Sequence, residues 1–152
     1  MLYPSAKVIV RSNDKPNMIL LLERKVGNNS YFEPAGGRIE ADFNQKISES
    51  LEECAHREIA EELGLSIEIK RYIGSYFFFW TIDSNKLSIC AVFEGLITQH
   101  DPQFESNKDF CELPFNPVWI SMRDILEGNI FIDPIYVGLE KILKDYCRKI
   151  RS

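Results

Sequence analysis

Apolar runs broken by polar turns predict a chain rich in short β-strands. The first two strands, AKVIV (6–10) and MILLLE (18–23), flank a turn at residues 13–17 and are expected to be neighbours. Further strands are predicted at residues 67–73, 75–82, 87–98 and 118–120. Residues 76–80 are all aromatic, and strand alternation predicts that every second ring enters the core instead of stacking on a ligand.

Two segments show helical periodicity. The first begins at residues 50–53 (SLEE), which resemble a capping box, and ends before Gly64. The second lies in residues 133–148, with apolar positions at Val137, Ile142, Leu143 and Tyr146. Strands on both sides of the first helix, and a second helix closing the chain, predict an α/β (α+β) fold. The expected form is an α/β/α sandwich with a mixed central β-sheet.

Size and charge narrow the class of protein. A chain of 152 residues with 45% hydrophobic and 27% charged residues fits a single folded domain. The net charge of -5 argues against a protein that holds nucleic acid through its phosphates, and favours a small or metal-neutralised ligand. No leader-like or membrane-length apolar run is present, so a cytoplasmic location is expected. No C-x-x-C spacing occurs, so reduced and mostly buried thiols are expected at Cys54, Cys90, Cys111 and Cys147.

The segment REIAEELGL (57–65) carries three glutamates within five helical positions. At about 100° per residue, Glu62 and Glu58 lie roughly 60° and 100° from the centre of the apolar stripe, whereas Glu61 lies roughly 160° away in solvent. Glu58 and Glu62 are therefore an i, i+4 like-charge pair beside the core, which a divalent cation would stabilise. A solvated acidic face, partly neutralised by contact of Arg57 with Glu61, is the alternative that helix geometry leaves open.

The spacing of this helix and the preceding glycine loop resembles a known signature. Seven residues separate Glu49 from the segment 57–65, and the loop PAGGRIE (34–40) lies upstream. Together they resemble the Nudix box of hydrolases that act on nucleoside diphosphates linked to another moiety, which implies a single Nudix hydrolase domain over residues 1–152. One departure is that eleven residues separate Gly37 from Glu49, six more than in the family pattern. Residues 41–47 hold this insertion.

The resemblance implies a site for Mg²⁺ or Mn²⁺. Its metal ligands would be Glu58, Glu61, Glu62 and the backbone carbonyl of Gly37. Arg57 would orient the glutamates, and Arg57, Glu58 and Glu49 would belong to the catalytic set. The base that takes the proton of the attacking water stays open between a glutamate of the box and Glu112 in a later acidic loop, with Glu105 and Asp109 as further loop candidates.

Four side chains near the box are candidates for substrate binding: Arg24, Tyr31, Phe32 and Arg38. Arg38 lies where the family often has a basic residue beside the site. Tyr31 and Phe32 precede the glycine loop, where they can stack on a base, and Arg24 closes a strand, where it either contacts phosphate or is solvated. The implied reaction is attack of water on a phosphoanhydride of a small nucleotide: ADP-ribose, a nucleotide sugar or a nucleoside triphosphate.

Two further expectations concern partners and the alternative function. The insertion at residues 41–47 leaves open a nucleotide-binding sensor domain of Nudix fold without useful turnover. A homodimer is expected only by analogy with folds whose sheet edges pair. Neither a membrane nor a nucleic acid is expected as a partner, given the acidic balance and the absence of a basic stripe.

Overall fold

The fold was obtained as a computed structural model, which describes residues 2–40, 47–79, 87–99 and 115–151. Within these ranges the strands are β1 (Leu2–Arg11), β2 (Met18–Val26), β3 (Asn29–Glu33), β4 (Ala35–Arg38), β5 (Ile67–Phe79), β6 (Leu87–Ile97) and β7 (Phe115–Ser121). The helices are α1 (Leu51–Leu63), α2 (Met122–Glu127) and α3 (Leu139–Arg151). None of these helices is long and apolar enough to cross a membrane.

The seven strands of the described residues form one mixed sheet in which β1 is central. Strand β1 runs parallel to β6 and antiparallel to β2 and β4. Outside this centre, β5 pairs with β6, and both β3 and β7 pair with β2, always antiparallel. The predicted mixed sheet is confirmed, and so is the predicted adjacency of the first two strands, although they meet at one recorded pair, Val10 with Leu20.

Helices cover both faces of the sheet, which confirms the α/β/α arrangement. Along β1, Val8 and Val10 enter the core beneath α1, whereas Ile9 enters the core beneath α2 and α3. This alternation follows from the two-residue period of a strand, and it explains why residues 8–10 of β1 are all apolar. The buried stripe of α1 is Cys54, Ala55, Ile59 and Leu63, and that of α3 is Leu139, Leu143, Tyr146 and Cys147.

Both ends of α1 are set by local sequence. The Ser50 side chain accepts a hydrogen bond from the Glu53 backbone N–H at 3.1 Å, as the capping pattern predicts. Gly64 ends the helix in the left-handed conformation, with φ of 65°, and its N–H donates to the Ala60 carbonyl. Because α1 begins and ends where the sequence indicates, the rotational positions of its glutamates follow as well.

The glycine loop differs from expectation. Residues 34–37 were expected as a loop, but Ala35–Arg38 form β4, which pairs with β1 through Lys7 opposite Gly36. Gly36 has φ of 145°, and a Cβ there would lie 2.0 Å from the Ala6 carbonyl oxygen. Of the two glycines only Gly36 has a positive φ, and its close approach is to the backbone of β1. This pairing fixes the glycine segment against the sheet.

Other differences lie outside the glycine segment. The predicted strands 67–73 and 75–82 form one strand, β5, as far as residue 79, and residues 80–82 lie outside the described ranges. The register of β5 is irregular around Arg71 and Gly74. Val137 was expected on the last helix, but it lies before α3, is 58% exposed and bridges Phe77. Helix α2 was not predicted because six residues give little periodicity. Cys54, Cys90 and Cys147 are buried free thiols as expected, whereas Cys111 lies beyond the described ranges.

Candidate active site

Helix α1 presents two glutamates to the glycine segment of β4. The Glu58 carboxylate lies against Gly37, since a Cβ on Gly37 would be 2.5–2.6 Å from its carboxyl atoms. A Glu62 oxygen accepts a long hydrogen bond, 3.4 Å, from the Gly36 N–H. The fold therefore brings together two parts of the Nudix-like motif that lie more than twenty residues apart in sequence.

Arg57 joins several acidic residues in one charged network. Its Nε and Nη2 donate to the two oxygens of Glu49 at 3.0 and 2.7 Å. Its Nη1 donates to Glu58 at 2.9 Å and to Glu61 at 3.1 Å. A planar guanidinium with five donors is suited to this task, and a bidentate carboxylate pair holds its plane in one orientation. The contact between Arg57 and Glu61 in the solvated-face alternative is present, together with contacts to Glu49 and Glu58.

The insertion before α1 leaves Glu49 in contact with the helix. Besides Arg57, Glu49 accepts a hydrogen bond from the Glu40 backbone N–H at 2.8 Å. The hydrogen bond from Arg57 is the main reason that the pKa of Glu49 lies below its ordinary value, so its carboxylate is charged at neutral pH. Of the insertion, the structure describes only Ile47, which is exposed.

Glu58 and Glu62 are in a less favourable electrostatic environment than Glu49. Burial raises the pKa of Glu62 to about 7, with Lys7 opposing the shift and Glu58 adding to it. Burial also raises the pKa of Glu58, although Arg57 opposes that shift. Both carboxylates are thus desolvated and repel each other, and their charged forms lack full compensation from the protein.

The donor set fits a hard divalent cation. Carboxylate oxygens of Glu58 and Glu62, with the Gly37 carbonyl oxygen beside them, are ligands that Mg²⁺ and Mn²⁺ accept. The Gly37 carbonyl accepts a weak hydrogen bond from the Cys54 thiol at 3.5 Å, which leaves it one lone pair. Burial raises the pKa of Cys54 to about 12, and a soft sulfur ligand does not suit Mg²⁺ or Mn²⁺. Within the described residues, no group of three or more Asp, Glu, His or Cys side chains is already arranged to hold a metal ion.

The substrate-binding candidates fall into two groups. Arg38 is exposed at the end of β4, and its carbonyl accepts from Arg57 at 2.9 Å. Arg24 pairs with Asp133 at 3.1 Å, and its guanidinium lies 5.6 Å from the centre of the Tyr31 ring. The contacts of Arg24 and Tyr31 are therefore with each other and with the segment before α3, not with the glutamates of α1.

Phe32 and the loop acids complete the set of candidates. Phe32 packs against the core beneath α2 and α3, so its ring faces away from α1. Strand alternation separates it from its neighbour Tyr31, which meets Phe131 edge to face at 5.1 Å. Glu105, Asp109 and Glu112 lie outside the ranges that the structure describes, so the base in the later loop stays a prediction.

Two polar residues near the site, one partly buried and one buried, were missed by sequence reasoning. Lys7 donates from Nζ to the Gly36 carbonyl at 3.1 Å. Glu33 is 8% exposed and lies beside Tyr136, whose pKa is raised by burial and by this carboxylate. The available signal for Lys7 was a cation within the otherwise apolar strand AKVIV.

A substitution at Gly37 tests the contact with Glu58. In the Gly37→Ala protein the new methyl group takes the place of the Glu58 carboxylate, which must move. A side chain can move at small cost, so the protein is expected to fold and to bind Mg²⁺ about tenfold more weakly. Calorimetric titration with Mg²⁺ checks this. The control is Gly74→Ala in β5, which like Gly37 has no positive φ and whose new Cβ would make only ordinary van der Waals contact with Ile142 at 3.6 Å. Unchanged Mg²⁺ affinity in Gly37→Ala would contradict this placement.

The raised pKa of Glu62 predicts a pH dependence of stability. In the unfolded chain this group titrates near 4.5, so between pH 4.5 and about 7 the folded state binds more protons than the unfolded state. Stability therefore falls as pH rises through that window, by about 3 kcal/mol from this group. Chemical denaturation in EDTA at pH 4.5 and 7.5 measures the fall. The fall in stability is expected to be smaller by about 3 kcal/mol in Glu62→Gln than in the wild-type protein. An identical fall in both proteins would refute this prediction.

Comparison with known proteins identifies the family and the fold. The family model described as the NUDIX domain matches residues 1–139. Solved structures similar to this chain include a MutT protein from Methanosarcina mazei Go1, at 22% identity and a TM-score of 0.69 over 99% of this chain and 96% of that one. A NUDIX hydrolase from Nitrosomonas europaea matches at 19% identity and a TM-score of 0.68, over 98% and 90% of the two chains. The E. coli ORF135 protein matches at 20% identity and 0.64, over 95% and 89%.

No curated protein gives a significant match to the chain. The solved structures, all of low identity, support the fold, and the family model covers most of the sequence. The chain therefore belongs to the NUDIX domain family of Nudix hydrolases.

Proposed function

We propose that the protein is a metal-dependent pyrophosphohydrolase that cleaves a phosphoanhydride bond in a nucleoside diphosphate linked to another moiety. The observation that carries this proposal is the convergence of Glu58 and Glu62 on Gly36 and Gly37, with Arg57 holding one oxygen of Glu58. Family membership supports hydrolysis as the reaction, and the desolvated carboxylates support a cation as the partner they lack.

In this proposal Glu58, Glu62 and the Gly37 carbonyl hold Mg²⁺ or Mn²⁺, with Glu61 as a further ligand when it leaves Arg57. The bound cation would shield phosphate charge and lower the pKa of the attacking water. Arg57 keeps Glu58 in position through their 2.9 Å contact. Glu49, ionised and fixed by Arg57, holds the guanidinium plane.

The reaction consumes one water molecule. The water oxygen forms a bond to phosphorus, the P–O bond to the bridging oxygen breaks, and a carboxylate takes the water proton. Glu112 and the glutamates of α1 stay candidates for that base. Arg38 lies at the end of β4 beside the network. Tyr31 and Phe32 stay candidates for stacking on the base, and Arg24 stays a candidate for contact with phosphate.

A substrate panel tests the proposal. The purified protein is incubated with ADP-ribose, nucleotide sugars and nucleoside triphosphates, with Mg²⁺, with Mn²⁺ and with EDTA, and the products are separated by chromatography. Metal-dependent release of a nucleoside monophosphate is expected from one of these classes. Tight nucleotide binding without product would refute the enzyme and favour the sensor domain. A single domain over residues 1–152, a cytoplasmic location and a homodimer stay predictions.

A further inference from the structure

Lys7 lies in the middle of β1, where a charged residue is unusual. Its neighbours Ala6 and Val8 are fully buried beneath α1, so the Lys7 side chain points to the opposite face of the sheet, as does Ile9. The side chain is only partly buried, which leaves it within reach of a ligand. Placing a long cationic side chain here costs strand stability and desolvation, so its presence needs an explanation.

The ammonium group of Lys7 makes fewer contacts than it can. It donates one hydrogen bond, at 3.1 Å, to the Gly36 carbonyl, and a lysine ammonium has three N–H donors. Within the described ranges no carboxylate lies within 4.0 Å of Nζ, so the cation has no direct ion-pair partner there. Two donors and a full charge are therefore available for a ligand.

The surroundings keep this group protonated. Burial by itself lowers the pKa of Lys7, but attraction by Glu33 and Glu62, with smaller effects of Cys90 and Glu58, raises it above the ordinary value. These carboxylates act from beyond ion-pair distance and include the two glutamates proposed to hold the metal. The positive charge of Lys7 repels a divalent cation bound by these glutamates and so weakens metal binding. Support of the metal therefore does not explain the presence of Lys7.

We propose that Lys7 binds a phosphate oxygen of the substrate beside the Gly36–Gly37 segment. An anionic phosphate oxygen accepts one of the remaining N–H groups and supplies the close negative charge that no carboxylate of the described ranges provides. Gly36 connects the two groups, since its carbonyl accepts from Lys7 and its N–H donates to Glu62. Lys7 therefore lies next to the proposed metal site, where the phosphates of the substrate are expected. This inference rests on the proposed function, since it names a phosphate contact at the same site.

The alternative is a structural role, in which Lys7 only offsets the charges of Glu33, Glu58 and Glu62. The two roles predict opposite effects on binding. A lysine with a structural role also holds the Gly36 carbonyl in place, so its removal displaces the glycine segment and weakens Mg²⁺ and phosphate binding together. A phosphate-binding cation, when removed, weakens phosphate binding but leaves Mg²⁺ binding unchanged or tighter, because a competing positive charge is gone.

The test uses Mg²⁺ alone and inorganic pyrophosphate in saturating Mg²⁺, both measured by calorimetry, so that it does not depend on which nucleoside the substrate contains. Lys7→Met is expected to bind pyrophosphate about tenfold more weakly, the loss of one charged hydrogen bond, with Mg²⁺ affinity not reduced. Lys7→Gln keeps a donor for the Gly36 carbonyl and serves if Lys7→Met does not fold. Lys141→Met, on the exposed side of α3, is the matched control.

Three outcomes would overturn the inference: pyrophosphate affinity unchanged in both Lys7 variants, Mg²⁺ and pyrophosphate affinities falling together, or no pyrophosphate binding by the wild-type protein. Failure of the proposed function looks different. If the wild-type protein hydrolyses nothing in the substrate panel but pyrophosphate binding still depends on Lys7, the phosphate contact stands and the enzyme does not. If hydrolysis occurs and the Lys7 variants bind pyrophosphate normally, only the Lys7 inference fails.

Discussion

Replacing Glu58 by glutamine is expected to lower kcat by 10²–10³-fold at saturating Mg²⁺ while the protein stays folded. The amide keeps the size of the side chain, so it fits against Gly37, but it removes one anionic oxygen from the proposed ligand set. Metal stabilisation of developing charge is worth several kcal/mol, and about 1.4 kcal/mol corresponds to a tenfold change in rate. The measurement is steady-state turnover of the substrate identified by the panel, at several Mg²⁺ concentrations.

The free protein should respond in the opposite direction. Burial raises the pKa of Glu58, so its charged form is held against a desolvation cost, and the neutral amide avoids that cost. Loss of the 2.9 Å contact with Arg57 offsets part of the gain. We therefore expect Glu58→Gln to unfold in EDTA at a denaturant concentration no lower than the wild-type protein. Reduced activity with retained stability separates a role in metal binding from a role in folding.

Glu52→Gln is the matched control, because Glu52 is an exposed glutamate in the first turn of the same helix. It removes the same charge from α1 without touching the glycine segment, and wild-type kcat is expected. Full turnover by Glu58→Gln would refute the proposed metal site. Equal losses in Glu52→Gln and Glu58→Gln would show that the general negative charge of the helix matters, not the position of Glu58.

The parts of the fold that sequence predicted correctly depend on local rules. The ends of α1 follow from a serine cap and a left-handed glycine, each an interaction within a few residues. Given those ends, helix geometry places Glu58 and Glu62 beside the buried stripe, and in the structure both face β4. The sequence left two interpretations of the acidic helix open, and Arg57 shows why: it contacts Glu61 on the solvent side as well as Glu58.

The parts that were missed depend on distant contacts. Ala35–Arg38 has the composition of a turn, and it becomes a strand only because β1 lies alongside it. Lys7 was visible as a charge in an apolar strand, but its hydrogen bond is to a residue 29 positions away. Val137 matched the helical period by chance, since the pairing with Phe77 holds it in an extended bridge before α3. Local periodicity does not contain these pairings.

Removing the charge of Arg57 is expected to destabilise the metal-free protein by about 2 kcal/mol, less than the cost of breaking a fully buried ion pair because the side chain is 22% exposed. In Arg57→Met the bidentate contact with Glu49 is lost, and Glu49, Glu58 and Glu61 repel one another without a counter-ion. Mg²⁺ should recover part of the loss, since a bound cation supplies charge to Glu58. Urea denaturation in EDTA and in Mg²⁺ measures both effects.

Arg123→Met is the control for the loss of a surface arginine. Arg123 pairs with Glu127 at 2.8 Å on α2 and is 73% exposed, so its removal should change the free energy of unfolding by less than about 0.5 kcal/mol, with no dependence on Mg²⁺. If Arg57→Met changed the free energy of unfolding as little as Arg123→Met, the ion pairs of Arg57 would contribute nothing measurable to stability. If Arg57→Met lost much stability but lost the same amount in EDTA and in Mg²⁺, Arg57 would act through packing of its aliphatic stem. The glutamates would then not bind Mg²⁺ in the way proposed.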